Sequence, residues 1–266
     1  MIDKSEKFTG LVRLGFAARG IVYLLIGYLA LSSVGGQKGP QGAFKWLQDE
    51  PLGAPILYLS ALGLLAYGIF RLGSLVFDIE NYGDDSKGIA HRVGHGASAL
   101  AHFVLAWTAF QFAHGDKQVA TGGNANEAAG SLLSFAFGPV VLGLIGLGLF
   151  AAAAFQAKAA ATGSFMRHIS GDAPSFVEPM GRAGHAARAV VFLIIAWSLI
   201  QSAWFASSGK IKTLGDAVTS LAGIGPLYSA VAIGLLLFGA FSLVVSRYQI
   251  VPDIKRSDLH AKLPTI

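Results

Sequence analysis

The stretch RAGHAARAVVFLIIAWSLIQ, Arg182 to Gln201, decides the fold, because the chain writes a similar line twice earlier: RLGFAARGIVYLLIGYLALS from Arg13 and RVGHGASALAHFVLAWTAFQ from Arg92. Aligned on the leading arginines, Gly15, Gly94 and Gly184 coincide. So do Phe16 with His95 and His185, Ala18 with Ala97 and Ala187, Tyr28 with Trp107 and Trp197, and Ser32 with Gln111 and Gln201. Each line opens on cations and then runs apolar for several helical turns, the pattern of a helix entering a membrane from a polar surface. Three such lines in one register make an internal repeat the first property to explain.

A second, looser line follows each of these. The segments starting at Ala54, Gly138 and Gly225 each place a proline in what would be a first helical turn, where its missing N–H costs nothing. Each then carries a glycine followed four residues later by an aromatic: Gly63 and Tyr67, Gly146 and Phe150, Gly234 and Phe238. Before each lies a short segment, GAFKWLQDEPLG, NEAAGSLLSFAFG or LGDAVTSLAGIG. These read as interfacial helices of one or two turns, with Asn126 or Asp216 as candidate caps. The unit is helix, short surface helix, helix. The repeats span 8–82, 88–163 and 178–248, and a tail covers 249–266.

Composition supplies the solvent. The 266 residues are 53% hydrophobic and 13% charged, with a mean hydropathy of +0.57. An average soluble domain is about 25% charged, so most of this chain avoids water. Apolar windows near 15–34, 53–77, 93–113, 138–160, 184–206 and 226–246 each approach the roughly 20 residues that cross a hydrocarbon core. The expectation is an all-α membrane protein of six transmembrane helices, arranged as three parallel-oriented two-helix repeats around a pseudo-threefold axis. A β-barrel would show roughly ten-residue alternating segments instead. The dense Gly and Ala positions suit close helix packing in lipid. The charged start lacks a small-residue cleavage site after a short apolar core, so the first helix is expected to stay. With no cysteine, disulfides and thiol chemistry are excluded.

Charge sets the orientation. Of the 20 Lys and Arg, fifteen fall at the N-terminus, the second and fourth connections, the tail and the helix ends beside them, and five fall on the other side. The positive-inside rule then predicts cytoplasmic N- and C-termini in a bacterial inner membrane. The net charge of +5 is spread over helix ends rather than gathered with aromatics in a soluble patch, so nucleic acid is not an expected partner. The lipid bilayer, an anionic lipid or small anion, and a membrane-protein partner are.

The triplicated Arg-x-Gly-[Phe/His]-x-Ala opening on a chain of this length resembles the bacterial membrane family known as domain of unknown function 1206, whose members carry three copies of a two-helix unit. The resemblance covers Phe8 to about Tyr248. It implies the fold and a bacterial inner-membrane setting, and brings no catalytic residues.

Polar residues on the odd helices share a face. At about 100° per residue, positions +3, +6, +7 and +10 from each leading arginine cluster. They hold Phe16, Arg19, Gly20 and Tyr23 in the first copy, His95, Ser98, Ala99 and His102 in the second, and His185, Arg188, Ala189 and Phe192 in the third. An intramembrane charge normally faces a cavity or a partner. Arg19, Arg188, His95, His185, His102, Ser98 and Tyr23 are therefore the candidate ligand-binding lining. The repeated glycines at +2 lie opposite, where a neighbouring helix can approach. Arg13, Arg92 and Arg182 read as headgroup anchors, and Trp107 and Trp197 as interfacial aromatics. Gln156, Lys158, Arg71 and Arg247 also read as terminal anchors, none with a paired acid.

No Walker loop, zincin motif or nucleophile elbow occurs. The leading expectation is a non-enzymatic membrane protein that binds or conducts a small or amphiphilic anionic ligand in its bundle. One rival is a haem- or metal-binding redox module using the paired histidines. The other is a structural subunit of a membrane complex.

Overall fold

A computed structural model describes residues 4–32, 40–80, 82–115, 129–207, 209 and 211–251. Among the described residues the chain is all-helical apart from one isolated bridge between Ile169 and Gln249. Six long helices carry it: α1 (Lys4–Leu31), α3 (Gly53–Phe77), α4 (Ser86–Ala113), α5 (Gly138–Thr162), α6 (Val177–Trp204) and α8 (Gly225–Tyr248). Two short ones, α2 (Pro40–Gln48) and α7 (Leu214–Thr219), precede α3 and α8, and residues 129–133 form a helical turn before α5. The helix, short helix, helix unit is thus present three times. Asn126 and the tail beyond Val251 lie outside the described residues.

The starts follow local chemistry. Pro139 and Pro226 occupy the first turns of α5 and α8. At α7 the cap is Thr213, not Asp216. Threonine accepts from the Asp216 N–H at 3.3 Å while the Asp216 carboxylate accepts from the Thr213 N–H at 3.0 Å, a reciprocal capping box. At the other end, α5 stops at Gly163, whose φ of +64° suits glycine.

Five of the six long helices are long and apolar enough to cross a membrane: α1 from Val12, α3, α5, α6 and α8. The sixth expected span lies in α4, a 28-residue helix whose apolar sequence is interrupted by His91, Arg92, His95 and His102. The helices are compatible with an integral, multi-pass membrane protein. Their polar ends gather together: the end of α3, the start of α4, the end of α5, the Ser164–His168 3-10 turn and the start of α6 all meet there.

Packing follows the repeat. The second long helix of each copy lies against the first long helix of the next: α3 on α4, α5 on α6, and α8 back on α1. Within copies, α1 packs on α3 and α6 on α8. The corresponding α4 to α5 interface is not formed; these two helices touch through the His91 and Phe155 rings, 4.9 Å apart. The larger core joins Val22, Ile26, Leu57, Leu64, Val191 and Leu235, and Phe44 of α2 closes one end of it. Close approach in the first and third copies depends on glycine. A Cβ on Gly63 would sit 2.4 Å from that of Ala18, and one on Gly234 would sit 2.5 Å from that of Ala187. The +2 glycines behave likewise in two copies, with Gly15 against Tyr67 and Gly184 against Phe238, but Gly94 faces open space.

Candidate functional site

Arg19, on the polar face of α1, is 7% exposed. Its Nη1 donates to the Tyr67 hydroxyl at 2.6 Å and its Nε donates to Ser242 Oγ at 3.2 Å. Its guanidinium also lies over the rings of Phe16, Tyr67 and Phe238, at 4.6, 4.9 and 5.0 Å. Arg188 of α6 approaches the Phe238 ring at 4.4 Å and covers Phe192 and Tyr23 as well. Two guanidiniums therefore share one phenyl ring inside the bundle. Ring quadrupoles ease the desolvation of a cation by up to about 2 kcal/mol, which does not neutralise it. Among the described residues neither arginine has a carboxylate within ion-pair distance. The Arg188 Nε is buried with no hydrogen-bond partner.

A thread of polar contacts runs from Arg19 to one end of the bundle. Tyr67 accepts a second hydrogen bond from Arg71 Nε at 2.9 Å. Arg71 is not an unpaired anchor: its Nη1 meets both Glu80 oxygens, at 3.2 and 3.3 Å, and donates to His95 Nδ1 at 3.0 Å. Because arginine only donates, the neutral His95 ring carries its proton on Nε2. That atom lies 2.8 Å from Glu80 Oε2, close but off the line of a good hydrogen bond. Burial pushes the Glu80 carboxyl up, but Arg71 and His95 outweigh it and hold the group well below the usual carboxylate range. His168, in the 3-10 turn, has its pKa lowered by burial, and its Nε2 accepts from Arg167 Nε at 2.8 Å.

The remaining expected residues are placed separately. His102 donates from Nδ1 to the Ser98 carbonyl at 2.7 Å and lies 4.5 Å from the Tyr67 ring. Ser98 and Tyr23 are half-buried. His185 bonds through Nδ1 to Gln156, which is thus its partner rather than an anchor, and stacks on Phe165 at 4.8 Å. His95 and His185 hold different partners, and among the described residues no group of three His, Cys, Asp or Glu side chains could hold a metal ion.

Two leading arginines have a further role. Arg92 donates to the Leu75 carbonyl at 3.0 Å, and Arg182 donates to those of Ala160 and Ala161, so each satisfies terminal carbonyls of the helix before it. Arg182 also pairs with Glu178 at 2.8 Å. Arg13 is exposed, as are Trp107 and Trp197 at 62% and 57%.

Sequence reasoning missed Tyr67, Ser242 and Phe238 as site residues. The first and last were visible as the aromatics four residues beyond a repeated glycine. Ser242 carried no comparable signal. Glu80 sits in a connection, and nothing in the sequence tied it to Arg71.

Comparison with known proteins agrees with the repeat. The model of the family described as Domain of Unknown Function (DUF1206) matches at residues 14–74, 93–163 and 183–249. The chain is 30% identical over 249 residues to an uncharacterised protein of Bacillus subtilis strain 168, YxxB, covering 89% of this chain and 90% of the relative. No solved structure matches. The chain belongs to the DUF1206 family.

Proposed function

We propose that this DUF1206 chain is a multi-pass protein of the bacterial inner membrane that binds or conducts a small or amphiphilic anion within its bundle. The reading is carried by one observation: Arg19 and Arg188 flank Phe238 with no carboxylate partner among the described residues, where the Arg188 Nε is also left unpaired. An intramembrane cation without a counter-charge is costly, and an anionic headgroup, phosphate or carboxylate supplies that charge. Tyr67, Ser242 and Tyr23 line the same place and add hydroxyl groups.

In this reading α4 is the sixth span. Its length of 28 residues, about 42 Å at 1.5 Å per residue, is ample. The threefold recurrence of this packing between successive copies supports a pseudo-threefold arrangement. Both termini are assigned to the cytoplasm from the fifteen-to-five charge asymmetry.

The test is native mass spectrometry of the purified protein titrated with phosphatidylglycerol, phosphatidylcholine or inorganic phosphate. Binding of phosphatidylglycerol or phosphate that weakens at least about ten-fold, or 1.4 kcal/mol, in Arg188→Gln supports the reading. Equal retention by wild type and variant, or no preference for the anionic probes, overturns it.

A further inference from the structure

The second repeat lacks the internal interface that the other two form. In the first copy the would-be Cβ of Gly15 lies 2.7 Å from the Tyr67 Cβ, and in the third that of Gly184 lies 2.7 Å from the Phe238 Cβ. The equivalent pair, Gly94 and Phe150, is apart: nothing lies within 4 Å of Gly94, and Phe150 is 46% exposed. The alanine and glycine one turn further in behave the same way. Ala18 meets Gly63 and Ala187 meets Gly234, whereas Ala97 is exposed and Gly146 faces Ile200 of α6 instead. Both sides of the missing interface thus carry the residue types that close it elsewhere in the same chain.

The structure also shows what stands in the seam. Immediately before the leading arginine the first and third copies have Val12 and Gly181, and the second has His91. The His91 ring is held between Tyr82, stacked at 4.5 Å and 16°, and Phe155 at 4.9 Å. Tyr82 is itself covered by the Arg167 guanidinium at 4.9 Å. The His91 ring thus stands where the other copies have a small or slender side chain.

We propose that α4 and α5 form a closable seam, with a second state in which the exposed Gly94 and Phe150 meet while Gly146 keeps its place against Ile200 of α6. The His91 wedge sets the balance between the two states. This holds whatever the bundle binds.

The cysteine-free chain makes the test direct. Gly94→Cys with Phe150→Cys is oxidised in native membranes with copper phenanthroline, and disulfide is quantified by mass spectrometry and thiol labelling. Closed counterparts bring these Cβ atoms to 2.7 Å, within about 1 Å of the roughly 3.8 Å that a disulfide takes. Gly143→Cys with Ala203→Cys, across the formed α5 to α6 interface with Cβ atoms 3.6 Å apart, is the positive control. Both seam positions are exposed, so the substitutions leave packing intact. The expected result is an intramolecular disulfide in both pairs, with His91→Ala raising the initial rate for the seam pair at least about two-fold and leaving the control unchanged. Independently, Ala97→Cys alone should alkylate about two-fold more slowly in the His91→Ala background. The proposal is overturned if the control cross-links and the seam pair does not, or if the seam pair links only one chain to another.

Discussion

At the scale of single residues, Tyr67 decides how two cations are held in the bundle, since its one oxygen accepts from both Arg19 and Arg71. Tyr67→Phe keeps the ring and its contacts but leaves two buried guanidinium donors without an acceptor. Hydrogen bonds to charged groups contribute about 1.5–3 kcal/mol each, so this variant should unfold with a loss on that order or larger, read by denaturant titration in detergent. A loss below about 0.5 kcal/mol would show that water serves as well as the phenol. Glu80 gives a pH signature outside the membrane spans. Its folded pKa is depressed below the ordinary value of 4.5, so its contribution is fully present above that value and is lost as pH falls through the folded pKa. The stability gap between wild type and Glu80→Gln should therefore be constant from about pH 7 to 5.5 and shrink below about pH 4.5. A gap that grows on acidification contradicts the Arg71 pairing. Residues such as Glu80 mark where the sequence is silent: an acid in a connection shows no period, and its partner on α3 is fixed only by the fold.

At the scale of elements, the repeat was legible because glycine, alanine and arginine recur in register, and the close approaches of Gly63 to Ala18 and Gly234 to Ala187 show what that register is for. The unequal packing of the second copy was not legible, because Gly94, Ala97, Gly146 and Phe150 match their counterparts in type and differ only in whether they meet. The count of membrane-crossing helices shows the same limit. Histidines that give α4 its chemistry lower its hydropathy, so five helices rather than six satisfy length and apolarity. Single alanines separate the copies experimentally. Gly63→Ala places a methyl 2.4 Å from Ala18, an overpacking that typically costs about 1–3 kcal/mol. Gly94→Ala meets nothing and gains up to about 1 kcal/mol of helix propensity. Opposite signs for the two in thermal unfolding are expected. Equal destabilisation would mean that α4 packs on α5 as its counterparts do.

At the scale of the whole molecule, the polar groups gather at one end. Arg71, Glu80, His91, His95, Arg167, His168 and Arg182 come from the end of α3, the starts of α4 and α6 and the two connections before those starts, yet they meet in the Arg71, Glu80 and His95 cluster, around the Tyr82 ring or at the terminal carbonyls of α5. Among the described residues, successive helices bring these cations to one end, in the sense that the fifteen-to-five bias along the sequence predicts. Lys and Arg near span ends resist translocation, so that face is expected to remain in the cytoplasm. Six spans then return the C-terminus to the side of the N-terminus, whereas five would separate them, so one experiment addresses both the orientation and the status of α4. Reporter fusions active only in the cytoplasm, placed at each terminus and in the connection between α4 and α5, should give signal at both termini and none at the connection. A signal at one terminus alone would remove α4 from the spans, and signal at the connection with silent termini would invert the protein.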